Sequence, residues 1–349
     1  LANARHGLQG EAAGVTAQID PALITKTLLF LQGIVVGLPA ALIFRALAFY
    51  SAGINQTKPM MVLAFLGIGV NSLFNWLLIW GHWGFPALGG AGCGWATAIG
   101  MWVGLIGMVG WTIWAPAYKP CYLWHGWSLP HWPTQGKLLK IGLPMGGAAL
   151  AEVVAFTSVA VLVGRFGSTQ IAAHQVAQNF SSLIFMLPMG LSAAATIRVG
   201  QALGAGEPHA ASHTAWSAIG LGLIMAAAMI PLILLSRDAL VSLYSPDPAV
   251  RQIASTLMLF ALIWQFADAA QVVALGALRG YKMTLAPMLV VFVAFWLFGL
   301  PTGIWLGYTG IGGSGPLGVY GFWTALVLAL ILAALGLVLL LRKVSRLLA

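Results

Sequence analysis

The sequence predicts an all-α polytopic membrane protein. Three observations carry that reading. Of 349 residues, 60% are hydrophobic and only 7% are charged, against about 25% charged in a soluble domain, and the mean hydropathy is +0.93. The apolar residues form long continuous runs, unlike the short alternating segments of a transmembrane barrel. Nine of these runs reach the roughly 20 residues a helix needs to cross the hydrocarbon core. This composition excludes a cytosolic enzyme, a nucleic-acid-binding domain and a disordered chain.

The first predicted span, 23–44, follows Asp20-Pro21. The second, 60–80, follows Lys58-Pro59 and carries Asn71 and Asn75. The third, 93–114, opens after a glycine-rich turn at 89–92. Residues 115–140 then hold Pro116, Pro120, Pro130 and Pro133 with Lys119, Lys137 and Lys140, a composition that ends helices and joins two halves. Six further spans follow at 141–163, 171–195, 215–235, 253–276, 285–306 and 319–341. Pro39, Pro144, Pro188, Pro231, Pro287 and Pro301 fall within or near spans, where each frees a backbone carbonyl and permits bending.

The net charge of +9 reflects loop bias in a chain of this kind, not nucleic acid. Alternating the loops gives one side eleven Lys and Arg, among them Arg45, Lys58, Lys119, Lys137, Lys140, Arg279, Lys282 and Arg342. The other side receives five: Arg5, Lys26, Arg165, Arg237 and Arg251. The richer side is expected to be cytoplasmic, placing the C-terminus and the 115–140 linker inside and residues 1–22 outside. Cys93 and Cys121 then fall on opposite sides and cannot pair. Residues 1–20 lack the order of a signal peptide.

Internal repetition organises the chain. Asp20-Pro21-Ala22-Leu23 recurs as Asp247-Pro248-Ala249-Val250. Gly53 recurs at the same offset as Gly280, each followed by a basic residue and a proline. Leu88-Gly89-x-x-Gly92 recurs as Leu317-Gly318-x-x-Gly321. Six spans separate the copies, so both have one orientation, related by an axis along the membrane normal. This predicts two pseudo-symmetric six-helix bundles in the full protein, with nine transmembrane helices present here and three expected before Leu1. Residues 1–115 are then the remainder of the N-terminal bundle, 116–140 a linker, and 141–349 the C-terminal six-helix bundle.

Of seven acids, Glu11, Asp20, Glu207, Asp238 and Asp247 are expected in loops or at helix ends, whereas Glu152 and Asp268 lie well inside spans. No Lys or Arg is expected deep in a span to neutralise them. An aspartate at a helix centre costs about 2.5–3.5 kcal/mol, and intramembrane acids are functional by default. Each could take up a proton, a small cation or a cationic substrate. Trp264, Gln265, Asp268 and Gln271 share a broad helix face, and Phe156 lies one turn after Glu152. Gln175, Asn179 and Ser182 form a stripe at i, i+4, i+7. Carboxylates, amides and aromatic faces together suit lipophilic cations. Asn71 and Asn75 serve such a site or bond between helices with equal standing.

Other patterns are structural. Gly310–Gly315 matches a nucleotide-binding glycine spacing but lies between two spans, so it reads as a turn. His209 and His213 are spaced i, i+4 in a loop without a third ligand. His174 opens a span as a hydrogen-bonding residue. Asn55-Gln56-Thr57 fits a glycosylation sequon on the cytoplasmic side.

At Gly167–Gly206 the chain resembles the multidrug and toxic compound extrusion (MATE) family, in its NorM-like branch. The carrying motifs are Ala172-Ala173-His174-Gln175-Val176-Ala177, Asn179-Phe180-Ser181-Ser182, Phe185-Met186-Leu187-Pro188 and Ile197-Arg198-Val199-Gly200. They are supported by Ile141-Gly142-Leu143-Pro144, Leu278-Arg279-Gly280-Tyr281-Lys282 and Gly299-Leu300-Pro301-Thr302-Gly303. The resemblance implies helices four to twelve of twelve in two bundles, arranged as a V that gives alternating access. It implies a monomeric bacterial inner-membrane antiporter that exports small cationic drugs and dyes in exchange for Na+ or H+, with no cofactor. The family's C-lobe acids match Glu152 and Asp268, which would also be the Na+ site, and Asn71 and Asn75 match polar N-lobe positions. Two departures stand out: the N-lobe acid of the family's first helix has no counterpart from Leu1 onward, and a tyrosine one turn before the aspartate in close relatives is Trp264 here. An indole cannot offer an oxygen to Na+.

Two alternatives stay open: a flippase of lipid-linked saccharides in the same superfamily, and a non-functional gene fragment. A membrane-embedded enzyme would need a nucleophile–base pair or metal triad, and the spans supply neither. The topology has a direct test. Cys121 in the linker is expected to resist an impermeant thiol reagent in intact cells and to react once the membrane is opened; labelling in intact cells would reverse the orientation.

Overall fold

The computed structural model describes residues 21–121, 123–124, 131–310 and 315–348. Arg5, Glu11, Asp20, Pro130 and the interior of the 310–315 glycine run lie outside them. The described residues contain nine helices long and apolar enough to cross a membrane. In chain order they are α1 Pro21–Gly53, α2 Lys58–Trp80, α3 Gly90–Trp114, α4 Trp132–Val163, α5 Ser168–Gly204, α6 Pro208–Tyr244, α7 Pro248–Gly280, α8 Leu285–Tyr308 and α9 Val319–Leu348.

All nine predicted spans are helices, but most run further than predicted. The helices α5 and α6 have 37 residues each, about 55 Å at 1.5 Å per residue. An apolar window reports only the part at hydrocarbon depth, whereas the helix continues through polar flanks that can still satisfy their backbone internally. Expectations at helix ends are corrected on that account. His209, His213 and Asp238 belong to α6 and not to loops. The 116–140 linker is shorter than predicted: Pro116–Cys121 forms a 3₁₀ turn and α4 already begins at Trp132, with Pro133 in its first turn, where a missing N–H costs nothing.

The chain divides into two compact units, one through residue 128 and one from 129. In the first, α3 packs against both α1 and α2, and the Trp102 indole donates to the Val36 carbonyl at 3.1 Å. In the second, α7 is the central helix, packed by α5, α6 and α9, and its stretch from Ala267 to Leu278 is buried at every position but Ala270. Large apolar side chains such as Phe65, Leu235 and Leu339 point outward, as lipid-facing residues do.

The repeat read from sequence is a repeat of conformation. After α1 and α7 the chain turns through Asn55 (φ 60) and Lys282 (φ 59). Matching bonds close the two turns: Gln56 N–H to Ser51 O at 2.8 Å and Met283 N–H to Leu278 O at 3.0 Å. Before α3 and α9, Gly89 (φ 56) and Gly318 (φ 58) occupy the left-handed half of the map, which glycine enters without steric cost.

The α5–α7 seam is drawn close by small residues and hydroxyls. Ser192 Oγ donates to Val272 O at 2.6 Å and Thr196 Oγ1 to Gly276 O at 2.8 Å, so polar side chains hold two helices where apolar packing alone gives no preference over lipid. A Cβ on Gly276 would overlap the Ser192 carbonyl, whereas one on Gly190 would meet open space. Gly276→Ala is therefore expected to lower stability by roughly 1–3 kcal/mol, and Gly190→Ala to leave it unchanged or raise it, measured as melting temperatures in detergent.

Candidate functional site

Glu152 on α4 and Asp268 on α7 meet within the second unit. The Gln271 amide donates through Nε2 to Glu152 Oε1 at 3.4 Å, and Glu152 and Asp268 stand within electrostatic reach of each other. The indole N–H of Trp264, one turn before Asp268, is directed at the Asp268 carboxylate. Asp268 is 4% exposed, Gln271 1% and Trp264 4%. One acceptor in this group is unspent: Gln271 Oε1 is buried without a hydrogen-bond partner. Two carboxylates and an orphaned amide oxygen offer only oxygen acceptors, which fits a proton or a small hard cation.

An aromatic wall backs the acids. Phe156 stacks on Trp264 with ring centroids 5.4 Å apart and meets Phe295 edge-on at 5.6 Å. Trp264 rests on Trp323 of α9 at 5.2 Å. Trp323 donates its indole N–H to His174 Nδ1 on α5 at 3.1 Å, so that nitrogen carries no proton. Phe295 lies in a π-helical stretch of α8, Val293–Gly299. Its cause is local: Pro301 has no N–H and crowds the carbonyl four residues earlier, so the ladder widens. The same stretch sends Trp296 Nε1–H to Ala151 O at 3.0 Å, anchoring α4 beside Glu152.

Of the residues singled out in sequence, Glu152, Phe156, Trp264, Asp268 and Gln271 come together. Gln265 does not join them: it is buried toward α5 and α6, beside Ile184, Pro188 and Met229. The Gln175–Asn179–Ser182 stripe lies exposed on the second unit. The inward polar face of α5 is the stripe one residue earlier, with buried His174 and Ser181 and a Gln178 whose Oε1 is buried. His174 is thus a buried member of the aromatic wall. Arg279 lies in the last turn of α7, at the end where the sequence placed it, within electrostatic reach of Glu152.

In the first unit, Asn75 Nδ2 donates to Asn71 Oδ1 at 2.9 Å, and Asn71 Nδ2 to Thr97 Oγ1 at 3.4 Å. Asn71 bonds α2 to α3 while Asn75 bonds back to it within α2, and Asn71 also lines a cavity of about 730 Å³ with Phe44, Arg45 and Thr97.

The family model described as MatE matches residues 144–305, a range that includes both acids. Multidrug resistance protein PmpM of Pseudomonas aeruginosa is 42% identical over 329 residues, covering 94% of this chain and 69% of its own length. The chain belongs to the MATE family. Multidrug resistance protein NorM of Aliivibrio fischeri is 42% identical over 305 residues, covering 87% of this MATE chain and 66% of its own length. Among solved structures, the MATE transporter NorM-NG in complex with a dye and a monobody is 36% identical with a TM-score of 0.75, covering 89% of this chain and 66% of that one. The eukaryotic MATE transporter AtDTX14 superposes with a TM-score of 0.82 at 18% identity, over 91% of this chain and 70% of its own, a likeness of fold alone. The nine helices are therefore a multi-pass MATE transporter fold, and the family is one of transporters and not of enzymes.

The Trp323–His174 bond yields a stability prediction. Trp323→Phe keeps an aromatic ring but leaves His174 Nδ1 buried without a donor, which should lower stability by about 1–3 kcal/mol in detergent melting. Unchanged melting would mean that the bond contributes nothing.

Proposed function

We propose that this chain acts as a secondary antiporter of the bacterial inner membrane, exporting lipophilic cations in exchange for H+ or Na+. The observation that carries the proposal is the pairing of half-buried Glu152 with buried Asp268, with Gln271 bonded to Glu152 and Phe156 and Trp264 alongside. An anionic pair against aromatic faces attracts an organic cation through charge and the ring quadrupole. The same oxygens accept a proton or a small cation, and neutralising them weakens the hold on the organic cation. Two occupants that exclude each other at one site give exchange, provided that access alternates between the two sides of the membrane. The relatives named multidrug resistance proteins and the dye-bound NorM-NG support the substrate class.

The chemistry at Trp264 bears on the ion. Its N–H is directed at Asp268, and an indole adds no oxygen ligand, so a proton asks less of this site than Na+ does. The linker and the C-terminus are proposed to face the cytoplasm, from the distribution of basic residues, with residues 1–115 and 141–349 belonging to the two bundles.

Reconstituted full-length protein tests this directly. Efflux of a cationic dye is measured under a pH gradient and, separately, under a Na+ gradient. Glu152→Gln and Asp268→Asn should fold as the parent does yet lose ion-driven efflux by at least about tenfold, since each amide preserves size and hydrogen bonding but not the charge that must switch. Parental rates in both variants under either gradient would overturn the mechanism.

A further inference from the structure

The carboxylate pair has a third charge nearby that the exchange reading leaves unused. Arg279 lies on the α7 face that carries Asp268 and Gln271, spaced eleven and eight residues after them. The helix rise from Gln271 to Arg279 is about 12 Å, and a helical side chain leans toward its own N-terminus, which brings the guanidinium back toward Glu152. The two interact electrostatically.

Arg279 is also poorly provided for where it stands. Its Nε is buried without a hydrogen-bond partner. Among the described residues the one ion pair within 4 Å joins Arg237 to Asp238. Favouring the α7 C-terminal dipole, or adding to the cytoplasmic positive charge, requires only an exposed cation, and Lys282 three residues on is exposed. A guanidinium kept mostly out of solvent, with an unspent donor and one half-buried acid in reach, is charged for another reason.

We infer that Arg279 is a positioning residue for the exchange proposed above: it serves as an internal counter-cation that competes with the driving ion and the organic cation for Glu152. When a cation occupies the carboxylates, Arg279 withdraws from Glu152. When the site empties, Arg279 draws closer and keeps two neighbouring negative charges from standing uncompensated. Release of cargo is then assisted by a charge that never leaves the protein, and the site cannot become a permanent trap for cations.

The test uses full-length protein in detergent and in proteoliposomes. Arg279→Gln removes the charge and should tighten binding of a cationic rhodamine dye by roughly tenfold, lower the driving-ion concentration for half-maximal efflux by a similar factor, and slow turnover. Arg279→Lys restores a cation and should return both values toward those of the parent. The double variant Glu152→Gln/Arg279→Gln should bind dye no more tightly than Glu152→Gln alone, because the charge has lost its partner. Reduced efflux by Arg279→Gln with dye affinity and half-saturation unchanged would reveal a structural role and overturn the inference. Should Arg279→Gln fail to accumulate, accumulation of the double variant alone supports the pairing, and loss of both overturns it. A parent protein with no ion dependence in this assay would instead fail the antiport reading, while dye binding still reports on Arg279.

Discussion

A carboxylate at hydrocarbon depth costs about 2.5–3.5 kcal/mol, and the second unit is arranged around two of them. Asp268 sits on α7, the most enclosed helix, where each side chain must find its partners inside the protein. Gln271 reaches Glu152 from one turn further on, and Trp264 presents its N–H from one turn earlier. The backbone around the acids is held by side chains: Trp296 of α8 holds the Ala151 carbonyl next to Glu152, and Ser192 and Thr196 of α5 hold carbonyls of α7 just beyond Gln271. A helix core made only of leucine would have no reason to choose this arrangement over contact with lipid.

The repeat makes the chemistry of that arrangement easier to isolate. The helices α1 and α7 share one pattern and end in the same turn, and α3 and α9, two helices further on, each follow a left-handed glycine. Yet the positions of Trp264, Asp268 and Gln271 correspond, at the offset of the repeat, to Gly37, Ala41 and Phe44. Ala41 and Phe44 line the cavity of about 730 Å³ in the first unit. One helix framework thus carries an acid, an amide and an indole in one copy and a glycine, an alanine and a phenylalanine in the other. Framework and chemistry vary independently, because the turns that close each helix lie outside the faces that carry the polar side chains.

The sequence made the nine helices legible because hydrocarbon thickness sets a length that composition reports directly. The acids were legible for the same reason: so few charges lie inside spans that each one is conspicuous. Helix ends were not, since polar flanks continue helices without an apolar signal, as at His209 and His213. The inward face of α5 was not legible either. Gln175, Asn179 and Ser182 have the same spacing as His174, Gln178 and Ser181, and only the packing of α5 against its neighbours selects the second set. The roles of Trp323 and Phe295 depend on which helices become neighbours, so no local pattern marks them.

Charge conservation links these features. Two acids in a low-dielectric space cannot both stand ionised without a compensating cation, because their mutual repulsion adds to the desolvation of each. Three kinds of cation are available in the proposed cycle: the driving ion, the lipophilic substrate and the arginine of the protein itself. The first two arrive from solution and depart to it; the third is tethered and acts at an effective concentration that neither solution can change. A tethered competitor weakens every external cation by a similar factor and so does not alter the preference between them. What it alters is the depth of the bound state, and in an exchanger a shallow bound state is an advantage, since each half of the cycle ends in release.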